Sequence, residues 1–404
     1  MRMPVLRFKA DDGADFPDWK EKTLSEIAKR VTRKNKNNQT DIPLTISSLD
    51  GLVDQRDYFK KTVASKDMSG YFLLQNGEFA YNKSYSAGFD YGSIKRLDKY
   101  PCGALSTLYI CFGLKPNVGI DSDYLTHYFD SQKWNPEVAA ICAEGARNHG
   151  LLNVPTAAFF DIRIDVPSLP EQRKIADLLS TVDDVIAVQQ AEVDAWEQRK
   201  KGVMQKLFSQ EVRFKADDGS DFPDWEEKTL GDVGTVAMCK RVFKEQTSAV
   251  GDVPFFKIGT FGGTPDAYIS RSLFNELKSK YPYPKVGTIL LSASGTIGRQ
   301  VVYSGEDAYY QDSNIVWLEH DDTVLDSYLR QFYAVVKWQG LEGSTIKRLY
   351  NKTILDTPFC HPSLPEQRKI ANCLSSLDDV IVKAKAELTK WQELKKGLLQ
   401  QIFV

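Results

Sequence analysis

Cysteine and histidine are scarce in this chain of 404 residues, and neither is clustered. The six cysteines form no C-x-x-C pair and lie far apart, which favours reduced thiols over a disulfide framework or a zinc site. The four histidines are equally dispersed, so no metal cluster is predicted. These residues are Cys102, Cys111, Cys142, Cys239, Cys360 and Cys373, with His127, His149, His320 and His361.

Long apolar runs and an excess of charge are also missing. No stretch approaches about 18 uninterrupted apolar residues, and the first seven residues (MRMPVLR) lack the apolar core of a signal peptide. We therefore expect a cytoplasmic protein that does not enter a membrane. The formal net charge is −2, so charge alone does not indicate a nucleic-acid binder, and any such surface must be local.

The signature motifs of nucleotide-binding and methyl-transferring enzymes are missing as well. The chain has no Walker A motif, no G-x-G-x-x-G after a predicted strand, and no Asn-Pro-Pro-aromatic signature of an amino-methyltransferase. Residues 292–299 (SASGTIGR) come nearest to a phosphate-binding loop, but they lack its Lys-Ser/Thr pair. We therefore predict no catalytic residue and no cofactor in this chain.

The largest feature that is present is a repeat of 42 residues. Residues 167–208 return as residues 362–403, with 24 of the 42 positions identical at a constant offset of 195. Each copy opens with Pro-Ser-Leu-Pro-Glu-Gln-Arg-Lys-Ile. Ser168 with Glu171, and Ser363 with Glu366, have the spacing of a capping box, in which the two side chains satisfy free amides at a helix start. The repeat therefore predicts two helices with the same beginning.

Both copies continue as a heptad pattern of apolar residues, which is typical of a coiled-coil seam. About 38 residues at a rise of 1.5 Å give a rod of roughly 55 Å. We predict that the two helices pack on each other antiparallel, and the alternative is two related helices in separate cores. Polar residues interrupt the seam. The predicted residues of the seam and of partner docking are Gln189, Trp196, Lys200, Trp391 and Lys395.

A second repeat defines the domain order. Residues 7–24 return as residues 213–230 with 16 of 18 positions identical, which predicts a connector that docks a domain onto the rod. The segments between the repeats do not obviously match each other. In chain order we predict a connector (1–24), a variable domain (25–166), a long helix (167–208), a connector (209–230), a variable domain (231–361) and a long helix (362–404).

The variable domains mix strand-like and helix-like stretches. Residues 104–112 (ALSTLYICF) are strand-like, and residues 123–134 are helix-like. The predicted fold class is therefore α+β, with two globular domains separated by two long antiparallel coiled-coil helices in a pseudo-two-fold internal repeat.

Local clusters of basic and polar side chains are candidates for DNA contact. Arginine pairs with guanine, asparagine pairs with adenine, and lysine or serine positions on phosphate. For the loop 292–299, the alternative is a tight structural turn, and for the other clusters it is a solvated charged face. The predicted DNA contacts are Lys34, Lys36, Lys83, Arg96, Arg147, Asn148, His149, Ser294, Thr296, Arg299, Lys347, Arg348, Tyr350 and Asn351.

Two other functions compete with DNA recognition. Asp266, Glu276 and Lys278 fit the loose PD-(D/E)xK pattern of Mg²⁺-dependent nucleases, which requires the Glu and Lys on a strand beside the Asp. Residues 272–279 look helical, which argues against that pattern. The other competitor is a scaffold with two protein-binding heads and no affinity for DNA.

The doubled cap, the W-x-x-x-K-K-G motif at 196–202 and 391–397, and the R-F…D-W connectors resemble the specificity (S) subunit of type I restriction-modification systems. Residues 292–298 (SASGTIG) and 309–314 (YYQDSN) are similar to stretches of its target-recognition domains. The resemblance covers the whole chain.

The resemblance implies a non-catalytic subunit in which each variable domain reads one half of a bipartite, asymmetric site in double-stranded DNA. The paired helices would set the unread spacer and dock two modification subunits. Those partners would carry S-adenosylmethionine and methylate adenine, and restriction subunits would add ATP- and Mg²⁺-dependent translocation and cleavage. A prokaryotic cytoplasm is the expected location.

Overall fold

The structure, a computed structural model, describes residues 4–59, 63–142, 151–338 and 348–403. The chain forms two compact units. Unit 1 comprises Met1–Ala191 and Lys385–Val404, and unit 2 comprises Glu192–Ala384. Each unit contains the beginning of one long helix and the end of the other. The boundaries between the units therefore fall inside the long helices, whereas the predicted domain order keeps each long helix whole.

The first half of the chain alternates short strands with short helices until a long helix begins. The strands are β1 (Lys20–Thr23), β2 (Ala28–Arg30), β3 (Pro43–Ser47), β4 (Gly51–Asp54), β5 (Phe72–Gln75), β6 (Phe79–Asn82), β7 (Ser93–Arg96), β8 (Cys102–Leu105), β9 (Ile110–Leu114) and β10 (Arg163–Val166). The helices are α1 (Leu24–Ile27), α2 (Gln55–Phe59), α3 (Ser122–Asp130), α4 (Asn135–Ile141), α5 (Thr156–Phe160) and the long α6 (Leu169–Phe208).

The second half repeats this plan. Its strands are β11 (Glu226–Thr229), β12 (Gly234–Ala237), β13 (Val253–Phe256), β14 (Tyr268–Ile269), β15 (Ile289–Ser292), β16 (Gln300–Val302), β17 (Tyr309–Tyr310), β18 (Ile315–His320) and β19 (Pro358–His361). Its helices are α7 (Arg271–Lys280), α8 (Asp326–Val335), α9 (Asn351–Leu355) and the long α10 (Leu364–Ile402).

The two variable segments have corresponding sheets although their sequences do not obviously match. Unit 1 contains the antiparallel pair β1-β10, the antiparallel sheet β2-β9-β6-β7 and the mixed sheet β4-β3-β8-β5, in which β3 and β8 are parallel. Unit 2 contains the pair β11-β19, the antiparallel sheet β12-β18-β15-β16 and the mixed sheet β14-β13-β17, in which β13 and β17 are parallel. The duplication therefore extends through the whole chain.

The strand-like run 104–112 is two strands rather than one. β8 and β9 belong to different sheets, and a turn at residues 106–109 separates them. In that turn the amide of Tyr109 donates to the carbonyl of Ser106 at 3.2 Å. The Ser106 hydroxyl also accepts from the amide of Leu108 at 3.4 Å. A serine side chain that bonds the backbone two residues on favours a turn, which ends the strand.

One core cluster of each unit lies between its antiparallel sheet and the long helices, and the mixed sheet lines a further cluster. In unit 1, aromatic rings such as Tyr81, Phe112 and Phe159 fill this layer, with Tyr81 stacked on Phe159. Ile175 and Leu179 of α6 cover it. Burial of one such side chain contributes about 1.5–3 kcal/mol. In the corresponding layer of unit 2, the long helices contribute Met204, Leu207, Ile370 and Leu374.

The long helices run antiparallel within each unit, as predicted. In unit 1, Nζ of Lys395 on α10 lies 2.6 Å from Oδ1 of Asp183 on α6. Further toward the start of α6, Ile175 shares the core with Ile402 near the end of α10. Residue numbers therefore rise along α6 as they fall along its partner segment.

The same arrangement recurs in unit 2. Nζ of Lys200 lies 2.6 Å from Oδ1 of Asp378, and Leu207 shares a core with Ile370. The helices have 40 and 39 residues, close to the predicted length. Lys200 and Lys395 thus each interrupt the seam by pairing with an aspartate of the other long helix, which specifies register.

The prediction of a capping box at the start of the long helices is wrong. Within the described part of the chain, the buried hydroxyls of Ser168 and Ser363 have no hydrogen-bond partner. Glu171, which is fully buried, accepts from Nε and Nη2 of Arg7 at 3.0 and 2.9 Å. Glu366 accepts from Arg213 in the same way, at 3.1 and 2.9 Å. A buried carboxylate requires a charged partner, so the connector arginine replaces the helix amide.

The next residues of the cap attach the rest of each unit. The side-chain nitrogen Nε2 of Gln172 donates to the backbone carbonyls of Gly119 and Pro167 at 3.0 and 2.9 Å. The side-chain oxygen Oε1 of Gln172 accepts from the backbone amide of Asp121 at 2.8 Å. Gln367 repeats all three bonds with Thr323, Pro362 and Leu325. Lys174 and Lys369 bind the turn of the connector through Asp11 and Asp217. The connector therefore docks onto the long helix, as predicted.

One contact between α3 and α6 differs between the units. His127 of unit 1 is 4% exposed, and its Nε2 lies 3.1 Å from the hydroxyl of Ser180. Burial lowers the pKa of His127, and the charge of Lys395 acts in the same direction, against the carboxylates of Asp183 and Asp130. The corresponding residue of unit 2 is Gln331, whose Nε2 donates to Oδ2 of Asp378 at 3.2 Å.

Replacing His127 with Gln is expected to remove a loss of unit 1 stability at low pH. Because the pKa of His127 is lowered in the folded protein, the unfolded chain binds the proton first, and stability falls as the pH drops below about 6.5. The slope reaches at most about 1.4 kcal/mol per pH unit. Hydrogen exchange of the α3 backbone amides at about pH 7.5 and about pH 5.5, corrected for intrinsic exchange rates, measures this change in stability with pH. Equal slopes in the wild type and the variant would contradict this assignment.

Candidate nucleic-acid interface

Two loops that stand out in the sequence lie side by side in unit 2. Residues 292–299 begin at the last residue of β15, and residues 311–314 follow β17. The amide of Ala293 donates to the carbonyl of Asn314 at 2.7 Å, and the Ser294 hydroxyl donates to Oδ1 of Asn314 at 2.9 Å. Ser294 also forms a β-bridge with Arg348. The structure thus brings together Ser294 and Arg348, which are far apart in sequence.

The loop 292–299 is closed by its own hydrogen bonds. The hydroxyl of Ser292 donates to the carbonyl of Thr296 and accepts from the amide of Arg299. Gly298 has φ +76°, and a Cβ there would lie 2.8 Å from Nε1 of Trp338, so only glycine fits. Nη1 of Arg299 donates to the carbonyl of Phe261 at 2.8 Å. These bonds favour the structural alternative for the loop, and they leave the side chains of Thr296 and Arg299 exposed.

A polar cleft of about 750 Å³ lies beside the loop 311–314, and we call it the unit 2 cleft. Nε of Arg241 lies 2.9 Å from Oδ2 of Asp312, and Nζ of Lys257 lies 2.8 Å from Oδ1 of Asp266. The residues that line it are Arg241, Val242, Lys244, Thr247, Ser248, Ala249, Phe255, Lys257, Asp266, Ala267, Gln311, Asp312, Ser313, Asn314 and Arg348. Its four basic residues exceed its two acids, so this surface carries local positive charge.

Three of these basic residues, Arg241, Lys244 and Lys257, were not predicted from the sequence. A signal was available for Arg241 alone, because Lys240-Arg241-Val242 has the same sequence as Lys29-Arg30-Val31 in the other variable domain. The tripeptide ends β2 in unit 1 and follows shortly after β12 in unit 2. A short match of this kind becomes informative only when the two sheets are known to correspond.

In unit 1, the predicted contacts Lys34 and Lys36 lie on the loop after β2. Nζ of Lys34 lies 4.3 Å from the centre of the Phe72 ring and donates to the carbonyl of Gly70 at 2.8 Å. Asn35 is fully buried and bonds to Thr40, so it holds the loop. Lys36 is exposed.

A groove of about 710 Å³ lies beside this loop in unit 1. It is lined by the exposed Lys29 and Arg30, by Arg33 and by the amides of Gln75 and Asn76. Arg33 pairs with Glu78 at 2.8 Å. Lysine, arginine and amide side chains are those that contact phosphates and base edges, so the groove adds to the candidate interface.

The remaining predicted contacts are placed differently. Arg96 is largely buried and pairs with Asp98 at 2.6 Å and Asp123 at 2.7 Å. Burial alone would lower the pKa of Arg96, but the two carboxylates hold it above its ordinary value. We therefore leave Arg96 out of the interface. Lys83 is half-buried. Arg147, Asn148, His149 and Lys347 lie outside the described residues.

Arg348 lies beside two exposed residues that were also predicted to contact DNA, Tyr350 and Asn351. Its guanidinium lies 6.0 Å from the centre of the Tyr350 ring, and Tyr350 is 63% exposed. Asn351, also exposed, begins α9. An exposed tyrosine beside an arginine suits contact with a base or sugar, so these predictions are retained.

Of the predicted docking residues on the long helices, the tryptophans are half-buried. Nε1 of Trp196 donates to Glu192 at 3.4 Å, and the guanidinium of Arg199 lies 5.2 Å from its ring. Trp391 and Gln189 are also half-buried. Partner docking through these residues stays a prediction.

The structure does not support the nuclease alternative. Glu276 and Lys278 lie on helix α7, not on a strand, as the sequence of residues 272–279 indicated. Asp266 pairs with Lys257, and Lys278 lies 3.7 Å from Asp307. In the described ranges, no group of three His, Cys, Asp or Glu residues could hold a metal ion. No helix in the described ranges has the length and the apolar character of a membrane span.

The chain thus combines a duplicated fold with two polar surfaces that are locally basic. Residues 17–195 and 223–390 match the family model of the type I restriction modification DNA specificity domain. The chain therefore belongs to the type I restriction-modification DNA specificity family and contains two such domains.

Relatives and solved structures agree with this assignment. The chain is 56% identical over 150 residues to a type I restriction enzyme specificity subunit of Haemophilus influenzae, covering 37% of this chain and 39% of that one. It is 24% identical to the MjaVIII specificity subunit of Methanocaldococcus jannaschii, covering 62% and 63%. It is 22% identical to the MjaX specificity subunit of the same archaeon, covering 97% and 94%. This chain thus spans less than two thirds of the first two relatives.

The fold is shared with solved structures. The S subunit of the type I restriction-modification system of M. genitalium superposes with a TM-score of 0.55 at 16% identity, covering 100% of this chain and 99% of that one. A chain from a study of assembly of the type I system gives a TM-score of 0.54 at 17% identity, covering 96% and 98%.

Proposed function

We propose that this chain is the sequence-specificity subunit of a type I restriction-modification complex, in which each unit reads one half of a bipartite, asymmetric site in double-stranded DNA. One observation carries the proposal. The connectors and long helices are repeated, whereas the variable segments that present the two candidate surfaces are not. The bonds of Glu171 and Gln172 recur at Glu366 and Gln367. The variable segments between the repeats, by contrast, do not obviously match each other in sequence.

The two surfaces supply what direct readout requires. Unit 1 offers Lys29 and Arg30 beside amide side chains, with the exposed Lys36 on the loop nearby. Unit 2 offers the cleft around Arg241 and Arg348. Cations fix the position of the protein on phosphates, whereas guanidinium and amide groups discriminate base edges. Two unlike surfaces on one scaffold would read two unlike half-sites, so the proposed site is asymmetric.

The long helices would set the spacer and dock the partners. A helix of 40 residues spans about 60 Å, more than one helical turn of duplex DNA at roughly 34 Å. Trp196 and Trp391 are half-buried in corresponding motifs, which supports two copies of one modification subunit as partners. Restriction subunits would join the same complex in the cytoplasm of a prokaryote. S-adenosylmethionine, ATP and Mg²⁺ would belong to the partner subunits.

Mapping of methylated adenines in a host that carries this chain with its modification subunit tests the proposal. We expect every methylated adenine to lie in one two-part motif with an unread spacer of constant length. A host with the modification subunit alone is the matched control and should show no such motif. Methylation outside a two-part motif would overturn the proposal. Binding to duplex DNA with a steep log–log salt slope would separate it from a protein scaffold without affinity for DNA.

A further inference from the structure

We propose that Arg241, held in place by Asp312, reads a guanine in the half-site of unit 2. This inference rests on the proposed function and names one reading residue within it. The guanidinium of Arg241 lies at the rim of the unit 2 cleft with its side chain 61% exposed. Its Nε donates to Oδ2 of Asp312 at 2.9 Å. Nη1 and Nη2 form no hydrogen bond to another residue of the described ranges. Such a pair of parallel donors matches O6 and N7 of guanine in the major groove.

Asp312 is itself firmly held. Its side chain is 15% exposed, and it accepts from the hydroxyl of Ser313 at 3.3 Å. The amide of Asn314 donates to the Asp312 carbonyl at 2.6 Å. Ser313 adopts φ +59°, a left-handed conformation that is costly for a serine and is found preferentially at functional sites. The loop therefore fixes the carboxylate, and the carboxylate fixes the plane of the guanidinium. Asp312 is a positioning residue in this scheme.

The net charge of the Arg241–Asp312 pair favours contact with a base over contact with a phosphate. The Arg241–Asp312 pair has no net charge, so it gains little from the phosphate field, whereas hydrogen bonds to a base edge need no net charge. The other cations of the cleft have different environments.

Nη2 of Arg348 already donates to the carbonyl of Ser313 at 2.9 Å. Lys257 is paired with Asp266, and Lys244 is exposed with no partner in the described part of the chain. Lys244 is therefore the phosphate-type control.

The test uses the full chain with its modification subunit and duplexes that carry the mapped two-part site. Each guanine is replaced singly by 7-deazaguanine, which removes the N7 acceptor and keeps O6. At one guanine of one half-site, the wild type should bind about tenfold to one-hundredfold more weakly after replacement. Arg241→Ala should bind both duplexes equally. Lys244→Ala should weaken binding to both by the same factor, keep the wild-type ratio and reduce the salt slope by about one.

Variants of Asp312 test whether its carboxylate positions the guanidinium of Arg241. Asp312→Leu should lose the 7-deazaguanine effect at the same guanine while discrimination in the other half-site stays unchanged. Asp312→Asn keeps an oxygen that can accept from Nε and should retain most of the effect. The inference is overturned if Arg241→Ala leaves every 7-deazaguanine penalty in place, or if it weakens binding to all duplexes equally. If the wild type does not prefer the two-part site over a scrambled duplex, the proposed function fails instead.

Discussion

Arg213→Ala is expected to lower the free energy of unfolding of unit 2 by about 3–5 kcal/mol, because it leaves a fully buried carboxylate without its charged partner. Arg213 donates through Nε and Nη2 to Glu366 at 3.1 and 2.9 Å, and Nη2 also donates to the carbonyl of Pro223. The Glu366 side chain has no exposed surface. Its other donor is Nε1 of Trp225, at 2.9 Å.

The corresponding change in unit 1 provides a comparison within the same chain. Arg7 makes the same bonds to Glu171, but Nε1 of Trp19 is buried with no partner among the described residues. Arg7→Ala therefore removes the charged partner without leaving a tryptophan donor. We expect Arg7→Ala to cost more than Arg213→Ala by about 1.5 kcal/mol or more, the contribution of a hydrogen bond to a charged group.

Native-state hydrogen exchange of peptides from the start of each long helix measures both losses within the full chain. The control is the double variant Arg213→Met with Glu366→Met, which removes the buried charge together with its partner and should recover most of the loss. A cost below about 1 kcal/mol for the single variants, as for an exposed ion pair, would show that Glu366 and Glu171 do not depend on arginine.

Insertion of one heptad into both long helices is expected to abolish methylation of the original motif and to create a motif with the same half-sites and a longer spacer. Helices α6 and α10 each contribute to both units, with the division at Ala191 and at Ala384. Seven residues add about 10 Å of helix, close to three base pairs at about 3.4 Å each. A heptad also preserves the side of the helix that faces the seam.

Adenine methylation maps of hosts that carry the wild type and the insertion variant measure this change. Insertion of four residues at the same points is the matched control, since it rotates the seam by roughly 40° and should abolish methylation altogether. The methylation rate at the new motif should be lower, because about three base pairs also rotate one half-site around the duplex. An unchanged spacer would show that the helices do not set it, and altered half-sites would show that they take part in base reading.

The long helices and their pairing could be predicted from the sequence because their signals are local or repeated. A heptad pattern is visible within a window of the chain, and an offset of 195 shows that both copies have the same role. Lys200 and Lys395 stood out as breaks in that pattern, and each pairs with an aspartate of the other long helix. The helical nature of residues 272–279 was also visible, and it removed the nuclease reading.

The candidate interface was only partly predictable. Arg348 and Ser294 were expected and do meet, whereas Arg241 was missed although the tripeptide around it recurs in unit 1. Arg96 has the charge of a DNA contact but lies between two carboxylates. Charge and residue type do not distinguish a free cation from a neutralised one, because the neutralising partner is set by the packing of strands and helices.

By itself, the sequence determined the duplication and the two helices with their polar breaks, and its motifs resemble the family whose model it matches. The duplication and the helices follow from repeat identity and periodicity, which are properties of the chain order. Only the tertiary structure decided the partner of Glu171, which is Arg7 at a separation of 164 residues, and the pairing of Arg241 with Asp312 across 71 residues. The physical reason is the same in both cases. A buried or half-buried charge takes the strongest partner that folding brings within reach, and local spacing does not show which residue that will be.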